Sequence, residues 1–396
     1  MVSDWSRAWR ARALLRPPLV GFLQEEALDL PEDEWARRYG IRTDLAIEAR
    51  EVVIEREGAP EIPGVIVKRE PIAGGTLLRV DIESDIGSRL MGKVKGRYVT
   101  LEVAGLREHN PTLHEKVAAQ VGAEIRRFIA AMQLSPEAPV LLVGLGNWNA
   151  TPDALGPKVV GHAFITRHLF RYAPPQARQG FRPVAAVAPG VLGLTGLETS
   201  EIVEALVARF KPALVLCVDA LAARTVERLG TTIQISDAGI SPGSGVGNRR
   251  KGITQADLGV PVLVIGAPTV IGAMTIVSDA WERLAGRGAS DLPATARPAP
   301  AAAVPGSPVE ASGLAAGAPG WSAGGPRVRD GIIPGPGEAG KEETLRTLLG
   351  PYLGTMIVTP KEVDSLIDDL AAVIAAGINV GLHPGFTLEE AFDTLQ

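Results

Sequence analysis

The chain has 396 residues, 46% of them apolar and 21% charged, with a formal net charge of -5. That balance belongs to a globular enzyme and excludes a disordered or membrane-embedded class. The small negative charge leaves no footprint for a phosphate backbone, so no direct nucleic-acid partner is expected.

The length suits two or three average domains, or a single α/β domain with insertions. Cys217 is the lone cysteine, so neither an internal disulfide nor a thiolate metal cluster is available, and a reducing, cytoplasmic compartment is expected. Leu19 to Leu23 is too short for the apolar part of a signal peptide. No run reaches the ~18 apolar residues needed to cross a bilayer, so no membrane partner is expected.

Residues Met1 to Gly40 mix Trp5, Trp9 and Trp35 with arginines and an acidic cluster from Glu25 to Glu34. Short amphipathic helices fit there, in either a terminal extension or a regulatory pro-segment. From Ile41 to Glu102 the pattern turns to strands, at Gly64–Lys68, Thr76–Ile82 and Arg97–Val103, which read as an antiparallel or edge addition. Thr112 to Glu115 has capping-box spacing, and Leu113, Val117, Val121, Ile125, Phe128 and Met132 recur behind it at helical intervals. Strands and helices then alternate: strand Val140–Val143, helix Ala154–Phe170, strand Pro183–Val187, helix Glu198–Phe210, strand Ala213–Val218, helix Ala220–Arg228, strands Thr231–Ile235 and Val260–Ile265, helix Ala273–Leu284. Such alternation predicts a three-layer α/β fold, with a mostly parallel sheet, helices on both faces and added strands.

Between Arg287 and Gly340 the composition shifts to Ala, Pro and Gly, which predicts a flexible insertion without chemistry. Thr359, Pro360 and Glu362 mark a helix start, Gly377 fits its stop, and Val363, Leu366, Ile367, Leu370, Val373 and Ile374 share one face.

The stretch Val140 to Pro157 carries the most informative motif. An apolar run breaks at Gly144 and Gly146 into a polar turn that delivers Asp153 at the carboxyl end of a probable parallel strand, where open α/β sheets bind ligands. A second run, Ala213–Val218, delivers Asp219 in the same way. Gly144-Leu-Gly146-Asn-Trp-Asn149 lacks the third glycine of a dinucleotide fingerprint, and Gly243-Ser-Gly-Val-Gly-Asn-Arg249 lacks the ending of a Walker loop. The latter loop can still form a nest of backbone donors for an anion or a carbonyl oxygen. Ser241 precedes a proline where a nucleophile elbow needs a helix, and only His383 lies downstream as its base. The five histidines show no metal-site spacing.

The two aspartates admit two readings. Held close together they would be driven to different pKa values, one activating water while the other donates to a carbonyl oxygen. Apart, each would be a helix N-cap.

Val143-Gly-Leu-Gly-Asn-Trp-Asn149, Thr151-Pro-Asp-Ala-Leu-Gly-Pro157, Gly196-Leu-Glu-Thr-Ser200, Asp219-Ala-Leu-Ala-Ala-Arg224, Pro242-Gly-Ser-Gly-Val-Gly-Asn248 and Thr359-Pro-Lys-Glu-Val-Asp364 resemble the germination protease family of spore-forming bacteria, in the same order. The resemblance implies an endopeptidase that degrades small acid-soluble spore proteins, on a sheet similar to that of hydrogenase-maturation proteases. It implies a homotetrameric, self-processing zymogen working in the cytoplasm of the spore core. It further implies Asp153 and Asp219 as the catalytic pair, with no cofactor and no metal. A metal-dependent peptidase using the same carboxylates, or a non-catalytic anion-binding protein, are the alternatives. Ile41-Arg-Thr-Asp-Leu-Ala-Ile-Glu48 resembles the processing site, which places the cut between Asp44 and Leu45. The expected organisation is a pro-segment over 1–44, a catalytic domain over 45–286, the insertion over 287–340 and a C-terminal helical part over 341–396. Gly243, Ser244, Gly245, Gly247 and Asn248 form the expected substrate or oxyanion loop.

Overall fold

The computed structural model describes residues 42–58, 61–243, 250–286, 347–354 and 356–393. The N-terminal stretch up to Gly40 and the Ala/Pro/Gly-rich insertion lie outside the described residues.

A nine-stranded sheet runs through the main unit in the order β1-β2-β3-β7-β8-β6-β4-β5, with the short β9 against β8. The strands are β1 (Val65–Ile72), β2 (Gly75–Ile82), β3 (Gly96–Glu102), β4 (Val140–Gly144), β5 (Val184–Val187), β6 (Leu214–Ala223), β7 (Thr232–Ser236), β8 (Val262–Gly272) and β9 (Ile357–Val358). The segment β8-β6-β4-β5 is parallel, and its strands are near-continuous apolar runs because both faces are covered. The early strands β1, β2 and β3 extend it at one end as antiparallel neighbours, joined through β7. The fold is therefore α/β, with added strands where the sequence pattern places them.

Alternate residues of the parallel strands feed opposite cores. Val140, Leu142, Leu214, Leu216, Val218, Leu263 and Ile265 face one side, against the long helices α3 (Pro111–Ala131) and α8 (Val363–Leu382). Leu141, Val143, Val215, Cys217, Val262 and Val264 face the other, against Val203 and Val207 of α6 (Thr199–Phe210). The remaining labelled helices are α1 (Ala46–Glu57), α2 (Asp85–Met91), α4 (Leu155–His162), α5 (Arg167–Tyr172) and α7 (Ala273–Gly286). Helix α7 and a helical stretch at 347–353 belong to a second compact unit, Ala273–Met356.

Four expectations need correction. The helix expected over Ala220–Arg228 is absent; β6 continues to Ala223, because Ala220, Leu221, Ala222 and Ala223 keep their pairing with β8 across a small register shift. Burial and ladder bonds there override the helix preference of an alanine-rich stretch. The helix expected over Ala154–Phe170 is two helices, since the Phe164 amide donates to Asn379 Oδ1 and the Thr166 amide to the Val184 carbonyl, outside any helical ladder. Helix α3 starts two residues early, with Asn110 as the cap accepting from the Leu113 amide and Pro111 at the first position.

Helix α8 begins at Val363 and does not stop at Gly377. Its glycines lie inside the helix, where a Cβ on Gly377 would meet Val121 at 2.6 Å and the Ala118 carbonyl at 3.0 Å. They let α8 press directly on α3. By length and hydropathy α8 also passes for a membrane span, contrary to the sequence reading, but 78% of the qualifying window is buried in the protein, so it is a core helix.

Substituting Gly377→Val should lower stability by about 1–3 kcal/mol through overpacking against α3. Urea unfolding at unchanged slope should show an earlier midpoint; a wild-type midpoint would mean that the two helices separate freely.

Candidate active site

After β4 the chain crosses to β5 on one side, and β6 then returns to the other side of β4. The crevice beyond the carboxyl ends of β4 and β6 is thus the switch point of the parallel segment, the usual ligand site of such sheets. Glycines shape its floor. A Cβ on Gly144 would lie 2.3 Å from the Gly156 carbonyl, one on Gly156 would lie 2.4 Å from the Val218 carbonyl, and one on Gly146 would lie 2.0 Å from the Asp153 carbonyl. Gly146 also has a φ of 108°, which other residues rarely adopt.

The turn they permit is held at both ends. The Asn147 amide donates to the Asp153 carbonyl at 2.9 Å, and Thr269 Oγ1 on β8 donates to the Pro152 carbonyl at 2.7 Å. Asp153 closes a 3-10 turn (Thr151–Asp153), and the N-cap of α4 is the next residue, Ala154, with no side-chain cap bond. Asp219 sits inside β6 opposite Gly266 and is 5% exposed. Neither residue caps a helix in the way the second reading required. Both line one cleft of about 370 Å³, together with Asp44, Leu145, Pro242, Gly243 and Arg250.

Burial pushes the Asp153 carboxyl up to about 6, partly offset by a backbone hydrogen bond from Asn147. Asp219 is raised further, first by burial, then by repulsion from Asp153 and from Asp44, against one stabilising bond from the Ala220 amide. Two neighbouring like charges in a low dielectric cannot both ionise cheaply, so Asp219 holds a proton more tightly than Asp153.

Asp44 is a third carboxylate at this site. Its amide donates to the Ala222 carbonyl at 2.9 Å and its Oδ2 accepts from the Ala222 amide at 2.8 Å, so the segment lies along β6. Gln234 brackets Leu45, donating to the Asp44 carbonyl on one side and accepting from the Ala46 amide on the other. Leu45 is fully buried. Behind it, the buried Glu48 accepts from the Arg224 and Thr225 amides and pairs with Arg228 at 3.4 Å, tying α1 to the end of β6.

The germination protease family profile matches residues 46–393. The germination protease of Bacillus subtilis is 44% identical over 348 residues, covering 87% of this chain and 94% of the relative. Those of Bacillus mycoides and Bacillus cereus are 42% and 41% identical over 360 residues, covering 91% of this chain and 96% of each relative. The chain belongs to the germination protease family. Membership makes it a peptidase, as the resemblance implied.

In this chain the sequence-selected residues separate into two groups. Asp153, Asp219, Asp44 and Gly243 meet at one cleft; Ser244, Gly245, Gly247 and Asn248 lie outside the described residues. His383 is no base for Ser241, because its ring nitrogens engage the Arg182 amide and the Phe164 carbonyl, and burial depresses its pKa to about 4. Among the described residues, no three His, Cys, Asp or Glu side chains converge as a metal-ligand set. Sequence reasoning did not anticipate that Asp44 lies beside Asp219, nor the anchoring roles of Gln234 and Glu48. Their partners are more than 170 residues away, so no local pattern carries that signal.

An acid whose pKa is raised on folding favours the native state while protonated, and that advantage is lost as pH climbs through the interval between its unfolded and folded values. For Asp153 this interval runs from 3.8 to about 6. Asp153→Asn should therefore be more stable than wild type at pH 7, by about 1–3 kcal/mol after allowance for its partial contact with solvent. The difference should vanish near pH 4 in denaturation curves taken at both values; equal stability at pH 7 would contradict the assignment.

Proposed function

We propose that this protein is an aspartic-type endopeptidase that starts the breakdown of small acid-soluble spore proteins, and that it is made as a zymogen which removes residues 1–44. The observation that carries the reading is the meeting of Asp153 and Asp219 at one cleft, with unlike environments and a segment of the chain's own backbone laid beside them.

The chemistry follows from the asymmetry. Near neutral pH Asp153 is ionised and accepts a proton from water, while Asp219 keeps its proton and donates it to the carbonyl oxygen of the peptide bond. Hydroxyl addition gives a neutral tetrahedral diol. Asp153 then passes its proton to the departing nitrogen, Asp219 recovers one from a diol hydroxyl, the C–N bond breaks, and both groups return to their starting states.

Family membership supports the spore-protein substrate, and with it work in the cytoplasm of the spore core; the homotetramer is part of the same proposal. The proposed cut between Asp44 and Leu45 is supported by the position of Asp44 in the cleft. Residues 45–286 and 341–396 then form the mature catalytic part, with 287–340 as an insertion.

Asp153→Asn and Asp219→Asn should each fold yet lose at least about 100-fold in cleavage of a small acid-soluble spore protein, the scale of a lost proton-transfer group. Near-normal turnover by either variant would sink the aspartate mechanism.

N-terminal sequencing of the protein after self-processing should read Leu-Ala-Ile-Glu, from Leu45. A mature chain that begins anywhere else refutes the assigned processing site.

A further inference from the structure

The cleft region also holds a cation that the two-aspartate chemistry does not use. Lys93 follows α2, whose left-handed cap at Gly92 turns the chain back toward β3. Its backbone is fixed, because Ser88 Oγ donates to the Lys93 carbonyl at 2.7 Å and the Tyr98 hydroxyl donates to the Val94 carbonyl at 2.7 Å. Lys93 is only 6% exposed, and a buried ammonium is costly unless it is held by acceptors. One acceptor is specific: its Nζ donates to the Thr43 carbonyl oxygen at 2.7 Å. Lys93 also shares a cavity with Asp44, Asp219 and Gln234.

The Thr43 carbonyl and the Asp44 amide are the two ends of one peptide group. The amide end donates to the Ala222 carbonyl, and the oxygen end is taken by Lys93. That peptide group is thus gripped from both sides, and the next one along the chain is Asp44–Leu45. Any peptide without proline at this place offers a carbonyl and an amide whatever its other side chains, so the grip suits a polypeptide substrate as well as the chain's own segment.

We propose that Lys93 is a positioning residue for peptide cleavage: with the Ala222 carbonyl it clamps the peptide group preceding the bond to be cut, first in the chain itself and then in its substrates. The inference rests on the peptidase reading and the cut at Asp44–Leu45. Such a clamp is made in the ground state and the transition state alike, so its loss raises KM and leaves kcat nearly unchanged.

The test uses full-length protein allowed to process, wild type, Lys93→Met and Lys93→Arg, and two synthetic peptides. One has the sequence of residues 41–50; the other differs in a thioamide sulfur replacing the Thr43 carbonyl oxygen, a poor acceptor. Wild type should show a KM about tenfold higher for the thioamide, the scale of a charged hydrogen bond. Lys93→Met should have a KM for the normal peptide raised by a similar factor, kcat within about threefold, and no further loss on the thioamide. Lys93→Arg should restore the discrimination. Equal treatment of the two peptides by wild type overturns the proposal by itself, even if Lys93→Met fails to fold. So does a Lys93→Met enzyme that keeps wild-type KM and discrimination. A wild type that cuts neither peptide overturns the cut at Asp44–Leu45 and this proposal together.

Discussion

The site depends on backbone meeting backbone. Gly144, Gly146 and Gly156 leave no side chain between the β4 turn, the start of α4 and the middle of β6, where any Cβ would come within 2.4 Å of a carbonyl group. That approach brings the Asp153 turn onto the strand that carries Asp219, and the mutual repulsion of the two carboxyls follows from it. A methyl group at Gly144 or Gly156 would act on the chemistry by moving the turn, without touching either carboxylate, whereas one at Gly146 would also press on Asp153 Oδ1 at 3.1 Å. Interiors packed to this density transmit such displacements and do not absorb them.

The same compactness concentrates charge where it is costly. Asp219 and Glu48 are both held above their ordinary pKa values by burial, and Asp219 has two further carboxylates nearby. Glu48 is compensated: Arg228 and two backbone amides face it. Asp219 has the Ala220 amide. The contrast separates a carboxylate that anchors a helix from one left with few donors, and it arises from the groups available within a few ångströms.

Much of this was legible in the residue pattern. The parallel strands appear as apolar runs, α3 and α6 as periodic faces, and Asp153 as the residue delivered by a glycine turn after β4. The pairing of Asp153 with Asp219 was left open by spacing, since an aspartate after a strand is as readily a helix cap; the shared cleft and the continuation of β6 beyond Asp219 remove the capping alternative. Three of the corrections have one cause. At Ala220–Ala223, at Phe164–Thr166 and at Gly377 the local preference points one way, and a distant partner, β8, Asn379 or α3, decides otherwise. The same remoteness hid Asp44, which reaches its place through bonds to Ala222 and Gln234.

The segment around Asp44 has a thermodynamic side. Leu45, Ala46, Ile47, Ala49, Val52 and Val53 are buried, whereas Arg42 is exposed and Thr43 and Asp44 are held by hydrogen bonds. The proposed cut falls on the boundary between these two regimes. On the proposed cut one product stays moored by its apolar side chains, and the other keeps the hydrogen bonds of Thr43 and Asp44. Dilution then drives the reaction forward, and rejoining would require the lost fragment to find its way back against its own translational entropy. On that proposal the fold would work as a ratchet, set in one direction by where the apolar residues begin.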